Sequence, residues 1–547
     1  FLLLCLGGDA LAIDKNGVAP QAISLPSGPG SILGLGESFQ PQLNTGSGTY
    51  SVAIVLPKAT GGILPELTLA YDTGSSNGAL GLGWRLAGIS RISRNTDEGV
   101  PRYVDGPNGI DDDGDGVIDN REEIDAITGM DREELVRLSD GSFRAESEAS
   151  FVRYERSGAG WMARRRDGTR LEFGMSPQAR VEDAGRVFEW CLERIVDRNG
   201  NTIELVYRSD PEAAAEKHIQ RIRWGRPNAF FAALFVYEAG RPDVTTSFRS
   251  GFELRTSLRL VRIDVVSSGV PAPGFALRDD LDGDGATETL IRRYAIEYDV
   301  DAPISLISRI TQIGADGVTA LPSLTLEYTR WSPPENVNAT LIRSVNAPAE
   351  GFESSQVDLC DMNGDGLPDL LQTSGSTHRV AINRGIDDSG RLVWDPLRPV
   401  ANAPSIDLAS TKSVLMDATA DGVSDFVFKV TNTQFLCYDN SKELSWLPPA
   451  GPLQNTDTWP IWPFDGADGS RSRSMDCDYN RANDVLHTSP SGYRLWMLLP
   501  GGKFAKERRV APLTFEGQVF RFDAPGTHIA DLNGDRLQDL VWIQSSR

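Results

Sequence analysis

Apolar and polar residues alternate in short runs over the first 330 or so residues. The segments TYSVAIVL, LTLAYD, RLEFG, TIELVY and LTLEY alternate or run apolar, with β-branched and aromatic side chains. That is the period-two signature of strands with a buried face. DG, NG and SG pairs recur between them and mark turns. A helical period is hard to find, apart from a short stretch at PEAAAEKHIQRI (211–222). The pattern predicts an all-β region from Ile23 to about Tyr328.

The segment RWSPPENVNAT (330–340) interrupts this pattern, because Pro333-Pro334 cannot pair in a sheet interior. Beyond it the chain repeats. DMNGDGLPDLL starts at Asp361, DATADGVSDFV at Asp417, DCDYNRANDVL at Asp476 and DLNGDRLQDLV at Asp531. The starts lie 56 (417−361), 59 (476−417) and 55 (531−476) residues apart. A period of that size fits one supersecondary unit of four strands, as in the blade of a β-propeller. Apolar runs flank each acidic stretch, which places it at a hairpin tip. The expected organisation is a truncated signal at 1–12, a β domain at 13–330 carrying an inserted calcium loop, and propeller repeats at 331–547. The ring is expected to stay open within this chain, which reads as a fragment at both ends.

The acidic stretches carry the candidate chemistry. In DMNGDGLPD, Asp361, Asn363, Asp365 and Asp369 stand at positions 1, 3, 5 and 9, Gly366 at 6, and Leu367 offers its carbonyl at 7. A hard divalent cation such as Ca²⁺ takes six to eight oxygens, and this spacing supplies them. Without a cation the carboxylates repel one another. Position 6 must turn sharply, which suits glycine.

Six such loops occur. The fullest has Asp111, Asp113, Asp115, Val117 (carbonyl) and Asp119, with Glu122 at position 12, the EF-hand spacing. The VPRYVDGPNG before it holds two prolines and two glycines, so no EF-hand helix is expected. Asp280, Asp282, Asp284 and Glu288 form a second intact loop, and the Asp361 loop is the third. Three are weaker. Asp417, Asp421 and Asp425 have Thr419 at position 3. Asp476, Asp478, Asn480 and Asp484 have Arg481 at position 6. Asp531, Asn533, Asp535 and Asp539 have Arg536 there. The expectation is bound Ca²⁺ in a structural role; the alternative is Asx-rich turns without metal.

The 547 residues suffice for two or more domains. A net charge of −22 argues against nucleic acid and anionic membrane as partners. The opening FLLLCLGGDALA reads as the tail of a secretory signal cleaved after Ala12. No later run has the roughly 18 apolar residues of a membrane span, so a secreted protein is expected. Cys5 would leave with the signal. Cys191, Cys360, Cys437 and Cys477 have no dense spacing and read as buried free thiols, with no pairing deducible.

Catalytic signals are weak. Gly74-Ser75-Ser76-Asn77-Gly78 matches the nucleophile-elbow string, but ALGLGW follows where an elbow needs a helix. Glu146-Ser147-Glu148 has the E-x-E spacing of ADP-ribosyltransferases and equally that of a solvated strand face. His218, His378, His487 and His528 form no cluster. The expectation is a protein that is not an enzyme, any catalytic domain lying beyond residue 547.

Three stretches carry a resemblance: ISLPSGPGSILGLGESFQPQLNTGSGTYSVAIVLP (23–57), PELTLAYDTGSSNGALGLGWRLAGISRISRNTDEGVPRY (65–103) and RPDVTTSFRSGFELRTSLRLVRI (241–263). They are similar to the SpvB-type N-terminal domain of Tc insecticidal toxin B components and Rhs-related toxins. FEWCLERIVDRNGNTIELVY (188–207) looks like the same Rhs-like β architecture. The later repeats resemble FG-GAP/VCBS propeller blades. The resemblance implies an all-β scaffold that helps enclose a toxic segment, its propeller docking a partner such as a toxin A or C subunit. The loop at 111–122 departs from the family pattern, and the later shell and effector segments are absent. Two other functions stay open: a calcium-dependent adhesin whose propeller binds a host surface protein or glycan, and the N-terminal part of an ADP-ribosylating toxin.

Overall fold

The computed structural model describes residues 38–543, except 43–46, 60–61, 98, 113–115, 120–122, 227–228, 269–273, 275, 282–284, 286, 330–341, 352, 450, 464–465, 500–501 and 516. The signal segment expected at 1–12 lies outside the described residues. Strands dominate; the described helical elements are a 3-10 turn at Pro177–Ala179 and a single turn at Gly466–Gly469. The chain divides into two compact units. One holds Gly7–Asn95 and Ala126–Ser332; the other holds Thr96–Asp125 and Pro333–Arg547. The segment with the Asp111 loop therefore groups with the repeats rather than with the β domain that flanks it in sequence.

In the first unit, Ser38–Gln42, Ser47–Ile54, Leu67–Asp72 and Trp84–Ala87 form an antiparallel sheet. Gly88 follows at φ +99°, where a Cβ would lie 1.6 Å from the Glu66 carbonyl oxygen. Only glycine fits there. The chain then enters a closed barrel. Arg91–Arg94 pairs with Ile127–Thr128 on one side and with Arg186–Val196 on the other, Trp190 standing opposite Ile92. Leu135–Arg137, Phe143–Ala145, Arg153–Ser157, Gly160–Arg164 and Arg170–Phe173 pair in succession, and the last pairs with Arg186–Val196. Alternate residues fill the interior: Tyr154, Trp161, Ala163, Leu171, Phe173 and Trp190 are buried. The Arg156 guanidinium lies 4.1 Å from the Trp161 ring centroid and 4.7 Å from that of Trp190, a cation–π contact to both.

The sheet continues from the barrel through Thr202–Ser209, Lys217–Arg226, Ala229–Glu238, Arg259–Ser268, Glu288–Tyr298 and Ile307–Ile313. This corrects the helical reading of 211–222. The alanines sit in a turn, and Lys217–Arg226 is a strand paired along both edges with Ile222 and Trp224 buried. Two hydrogen-bonded edges and that burial outweigh a local helix preference.

In the second unit the repeats form three four-stranded antiparallel sheets. They are Val357–Cys360, Asp369–Ser374, Thr377–Ala381 and Arg398–Pro399; Ser413–Met416, Asp425–Thr431, Gln434–Asn440 and Trp446–Leu447; and Ser472–Met475, Asp484–His487, Tyr493–Trp496 and Arg508–Val510. A fourth repeat contributes the hairpin Thr527–Ala530 and Asp539–Trp542. Neighbouring repeats share cores. Cys360, Met362, Leu371 and Val380 pack with Phe426 and Trp446 of the next sheet. Met416, Val427 and Phe435 pack with Val485, Trp496 and Phe504. Among the described residues these sheets do not close into a ring.

Candidate metal sites

Among their described residues the six acidic stretches share two fastenings. The first joins position 1 to position 6. Asp111, Asp280, Asp361, Asp417, Asp476 and Asp531 each accept a hydrogen bond at one carboxylate oxygen from the N–H of Gly116, Gly285, Gly366, Gly422, Arg481 or Arg536, at 2.8–3.0 Å. Every position 6 residue has positive φ, from +71° at Arg536 to +88° at Gly422.

The second fastening takes the position 2 N–H to a carboxylate at the end of the turn. Asp112 donates to Glu123, Leu281 to Glu288, Met362 to Asp369, Ala418 to Asp425, Cys477 to Asp484 and Leu532 to Asp539, at 2.6–3.1 Å. Glu123, Glu288, Asp369, Asp425 and Asp484 are buried. In the first three repeats the remaining oxygen of that carboxylate takes a distant N–H, from Asn383, Asn440 or Leu498. The closing acid thus ties the turn to the strand that follows its hairpin. Burial pushes the Asp369 carboxyl up and that of Asp425 to about 7. Burial and the neighbouring Asp478 push Asp484 up further.

The turns differ at their tips. In the first, Asp119 accepts from the Asn108 and Gly109 N–H groups, Val117 is exposed, and Asp113, Asp115 and Glu122 lie outside the described residues. Asp282 and Asp284 of the second also lie outside them. At the third, Asn363 donates to Asp365 at 2.8 Å, while Leu367 donates its N–H to Asp365. At Asp417–Asp425 the tip is occupied by a lysine. Lys442 Nζ lies 3.1 Å from the Asp421 carboxylate and 3.1 Å from its carbonyl oxygen. At the last, Asn533 donates to Asp535, and Arg536 reaches Tyr479 Oη at 3.3 Å.

The Asp476 turn brings carboxylates together. Oxygens of Asp476, Asp478 and Asp484 all lie within 4.8 Å of one another. Asp476 Oδ1 is shielded from solvent with no hydrogen-bond partner. Burial and Asp476 raise Asp478 to about 6, with Arg102 and Arg508 pulling it down. The Asn480 side chain is engaged with backbone, donating to Leu498 and accepting from Ala482. The Asp111 segment lies alongside: Val100 donates to the Asp478 carbonyl at 2.8 Å, and Asp125 accepts from the Arg102 and Tyr103 N–H groups. Three converging carboxylates with one unsatisfied oxygen suit a hard divalent cation. Sequence spacing ranked this turn among the weaker ones, because it shows position 6 and not convergence. It also passed over Glu123, whose only signal was its place beside Glu122.

The other candidates have structural surroundings. No helix follows Ser76; Asn77–Gly78 pairs with Gly81–Leu82 in a tight hairpin. Glu146-Ser147-Glu148 is an exposed bend. His218 bonds to Asp210, His378 to Trp446 and Ile406, and His487 to Ser472. Cys191, Cys360, Cys437 and Cys477 are free thiols.

Residues 42–233 match the family described as "SpvB: Salmonella virulence plasmid 65kDa B protein". Among curated proteins, the mono(ADP-ribosyl)transferase SpvB of Salmonella typhimurium is 25% identical over 318 residues, covering 46% of this chain and 51% of that protein. The protein of the same name from Salmonella choleraesuis is 26% identical over 239 residues, covering 38% of this chain and 39% of it. The chain thus spans about half the length, or less, of these relatives. Their name, mono(ADP-ribosyl)transferase, overturns the expectation of a protein that is not an enzyme, at 25–26% identity over part of this chain. Among solved structures, a chain of the Photorhabdus luminescens Tc holotoxin pore is similar over 96% of this chain and 29% of its own length, with TM-score 0.69 and 20% identity. The TcdB2-TccC3 crystal structure matches 96% of this chain and 32% of its own, with TM-score 0.52 and 19% identity. The fold is thus similar to that of about a third of a Tc toxin chain. Among the described residues no helix is long and apolar enough to cross a membrane.

Proposed function

We propose that this chain is a scaffold of a secreted, toxin-related bacterial assembly. Its SpvB-type β domain forms part of the enclosing wall, and its repeats are blades of a propeller that docks a protein partner. The observation that carries this reading is the fold match to a Tc holotoxin chain across 96% of the residues. The cores shared between successive sheets support the propeller, because blades are built to stack on their neighbours. Calcium is the proposed stabilising ion, held first at Asp476, Asp478 and Asp484, where three carboxylates converge. The partner is a protein such as a pore-forming toxin subunit; the charge of −22 disfavours nucleic acid. The test is biolayer interferometry of the purified chain against a Tc-type pore-forming subunit in calcium. Saturable binding is expected, and absence of binding at tens of micromolar would refute docking. The name of the curated relatives favours a second reading, in which the chain is the delivery portion of an ADP-ribosylating toxin.

A further inference from the structure

Three of the four histidines are buried, His218, His378 and His487, and each meets a different kind of partner. His218 Nε2 lies 2.9 Å from the Asp210 carboxylate, which accepts from an imidazolium at least as well as from a neutral ring. His487 Nδ1 lies 3.0 Å from Ser472 Oγ, and a hydroxyl rotates to donate or to accept. His378 has no such latitude. Its Nδ1 takes the Trp446 indole N–H at 3.1 Å, and its Nε2 lies 2.9 Å from the Ile406 carbonyl oxygen. An indole nitrogen only donates and a carbonyl only accepts, so the ring is neutral with its proton on Nε2. A second proton, on Nδ1, would face the indole N–H, donor against donor. Turning the ring over presents an N–H there again.

The contact joins two repeats. His378 lies on Thr377–Ala381 of the first, Trp446 on Trp446–Leu447 of the second, and Ile406 in the connection between them. The ring also packs on Phe426, centroids 5.0 Å apart, and Phe426 and Trp446 belong to the core that the two sheets share. An imidazolium there would be stripped of water. Asp407 is the charged group acting on the ring. Its carboxylate already takes the Gly375 N–H at 2.9 Å and Gln356 Nε2 at 3.3 Å. Asp425, beside Phe426 in sequence, is tied to the Ala418 and Asn440 N–H groups instead. Burial outweighs Asp407 and lowers the pKa of His378 below its usual 6.5. Burial lowers His218 and His487 as well, so it is the partner that sets His378 apart.

We propose that the His378–Trp446 contact is an acid-released latch: with the ring neutral it fastens the first repeat to the second, and a proton on Nδ1 breaks the bond and parts the two sheets. Because the open form takes the proton first, the latch contributes its full stability above pH 6.5. Below that, the opening equilibrium rises by up to about tenfold per pH unit until the folded ring itself titrates.

Hydrogen exchange on the full chain at pH 7.5 and 5.0, corrected for the intrinsic pH dependence of amides, reads the opening. Peptides within 377–381 and 435–447 should open at least about fivefold more at pH 5.0. Peptides within 217–226 and 484–496, around His218 and His487, should respond by a smaller factor. His378→Asn keeps an acceptor near Nδ1 but does not titrate, and should lose the pH response. Trp446→Phe removes the opposing N–H and should shrink it. Circular dichroism checks that each variant folds. If neither does, the comparison of the three histidines in the wild type decides. No acid acceleration at 377–381 and 435–447, an equal or larger one around His218 or His487, or a response that survives in folded His378→Asn would overturn the proposal.

Discussion

Replacing Asp369 with alanine removes the acceptor of two backbone N–H groups, those of Met362 at 2.9 Å and Asn383 at 2.8 Å. The side chain has no solvent exposure, so water cannot substitute without the sheet opening. Hydrogen bonds to a charged acceptor contribute about 1.5–3 kcal/mol each. Against that stands the cost of burying the carboxylate, seen in its raised pKa. The net loss should be about 3 kcal/mol, or a little over a hundredfold in the opening equilibrium. Hydrogen exchange read by mass spectrometry on the full chain measures this directly. Peptides within residues 357–383 should exchange about a hundredfold faster, while peptides within 472–496 keep wild-type rates. Asp365→Ala, at an exposed tip position of the same turn, should shift exchange by less than about 0.5 kcal/mol in EDTA. The Asp369 effect should be as large in EDTA as in calcium, because the acceptor role involves backbone alone. Equal effects of the two substitutions, or an Asp369→Ala effect confined to calcium, would refute the fastening argument.

Calcium at one hundred times its dissociation constant should stabilise the repeat unit by about 2.7 kcal/mol. Scanning calorimetry should show the melting temperature falling in EDTA and recovering with millimolar Ca²⁺, and the double substitution Asp476→Asn with Asp478→Asn should remove that response. A calorimetric titration silent at millimolar calcium would show the turns to be metal-free. Arg481→Gly should raise the unfolding free energy by about 1 kcal/mol, seen as a higher urea midpoint, since Arg481 holds φ +73°, which costs an L residue roughly that much; an unchanged midpoint would count against strain there. Asp243 is 7% exposed and pairs with the fully buried Arg241 at 2.9 Å. Burial raises its pKa, but hydrogen bonds from Arg241, Ser305 and Asn77 win and hold it at about 2 against an ordinary 3.8. Its folded pKa being depressed, it contributes about 2 kcal/mol that is present above pH 4 and lost as the pH falls through 2. Urea unfolding from pH 6 to pH 2.5 should show that loss in the wild type and its absence in Asp243→Asn.

The acidic turns were legible because their spacing is local: positions 1, 6 and 9 fall on one short loop, and the chemistry needs nothing else to be recognised. What fills each tip was not legible. Lys442 reaches Asp421 from the far side of a strand pair, and Asp484 meets Asp476 and Asp478 only because Cys477 and Leu498 bind its two oxygens. The strands read well where alternation was strong, as in LTLAYD. The alternation in HIQRI was masked by the alanines before it, so a strand passed for a helix. Barrel closure depends on Ile92 meeting Trp190, a pairing set by tertiary packing that no local pattern encodes.

The two fastenings of each turn use only its end carboxylates and backbone amides, so the tip is mechanically idle. One frame therefore accommodates a lysine ammonium at Asp421, a third carboxylate, Asp478, beside the fastening acids Asp476 and Asp484, and an arginine propped on a tyrosine at Arg536. The row of repeats behaves as a set of identical sockets whose fittings can be exchanged singly. An engineer could thus make one tip responsive to an ion, another to a ligand, and leave the rest inert without rebuilding a sheet.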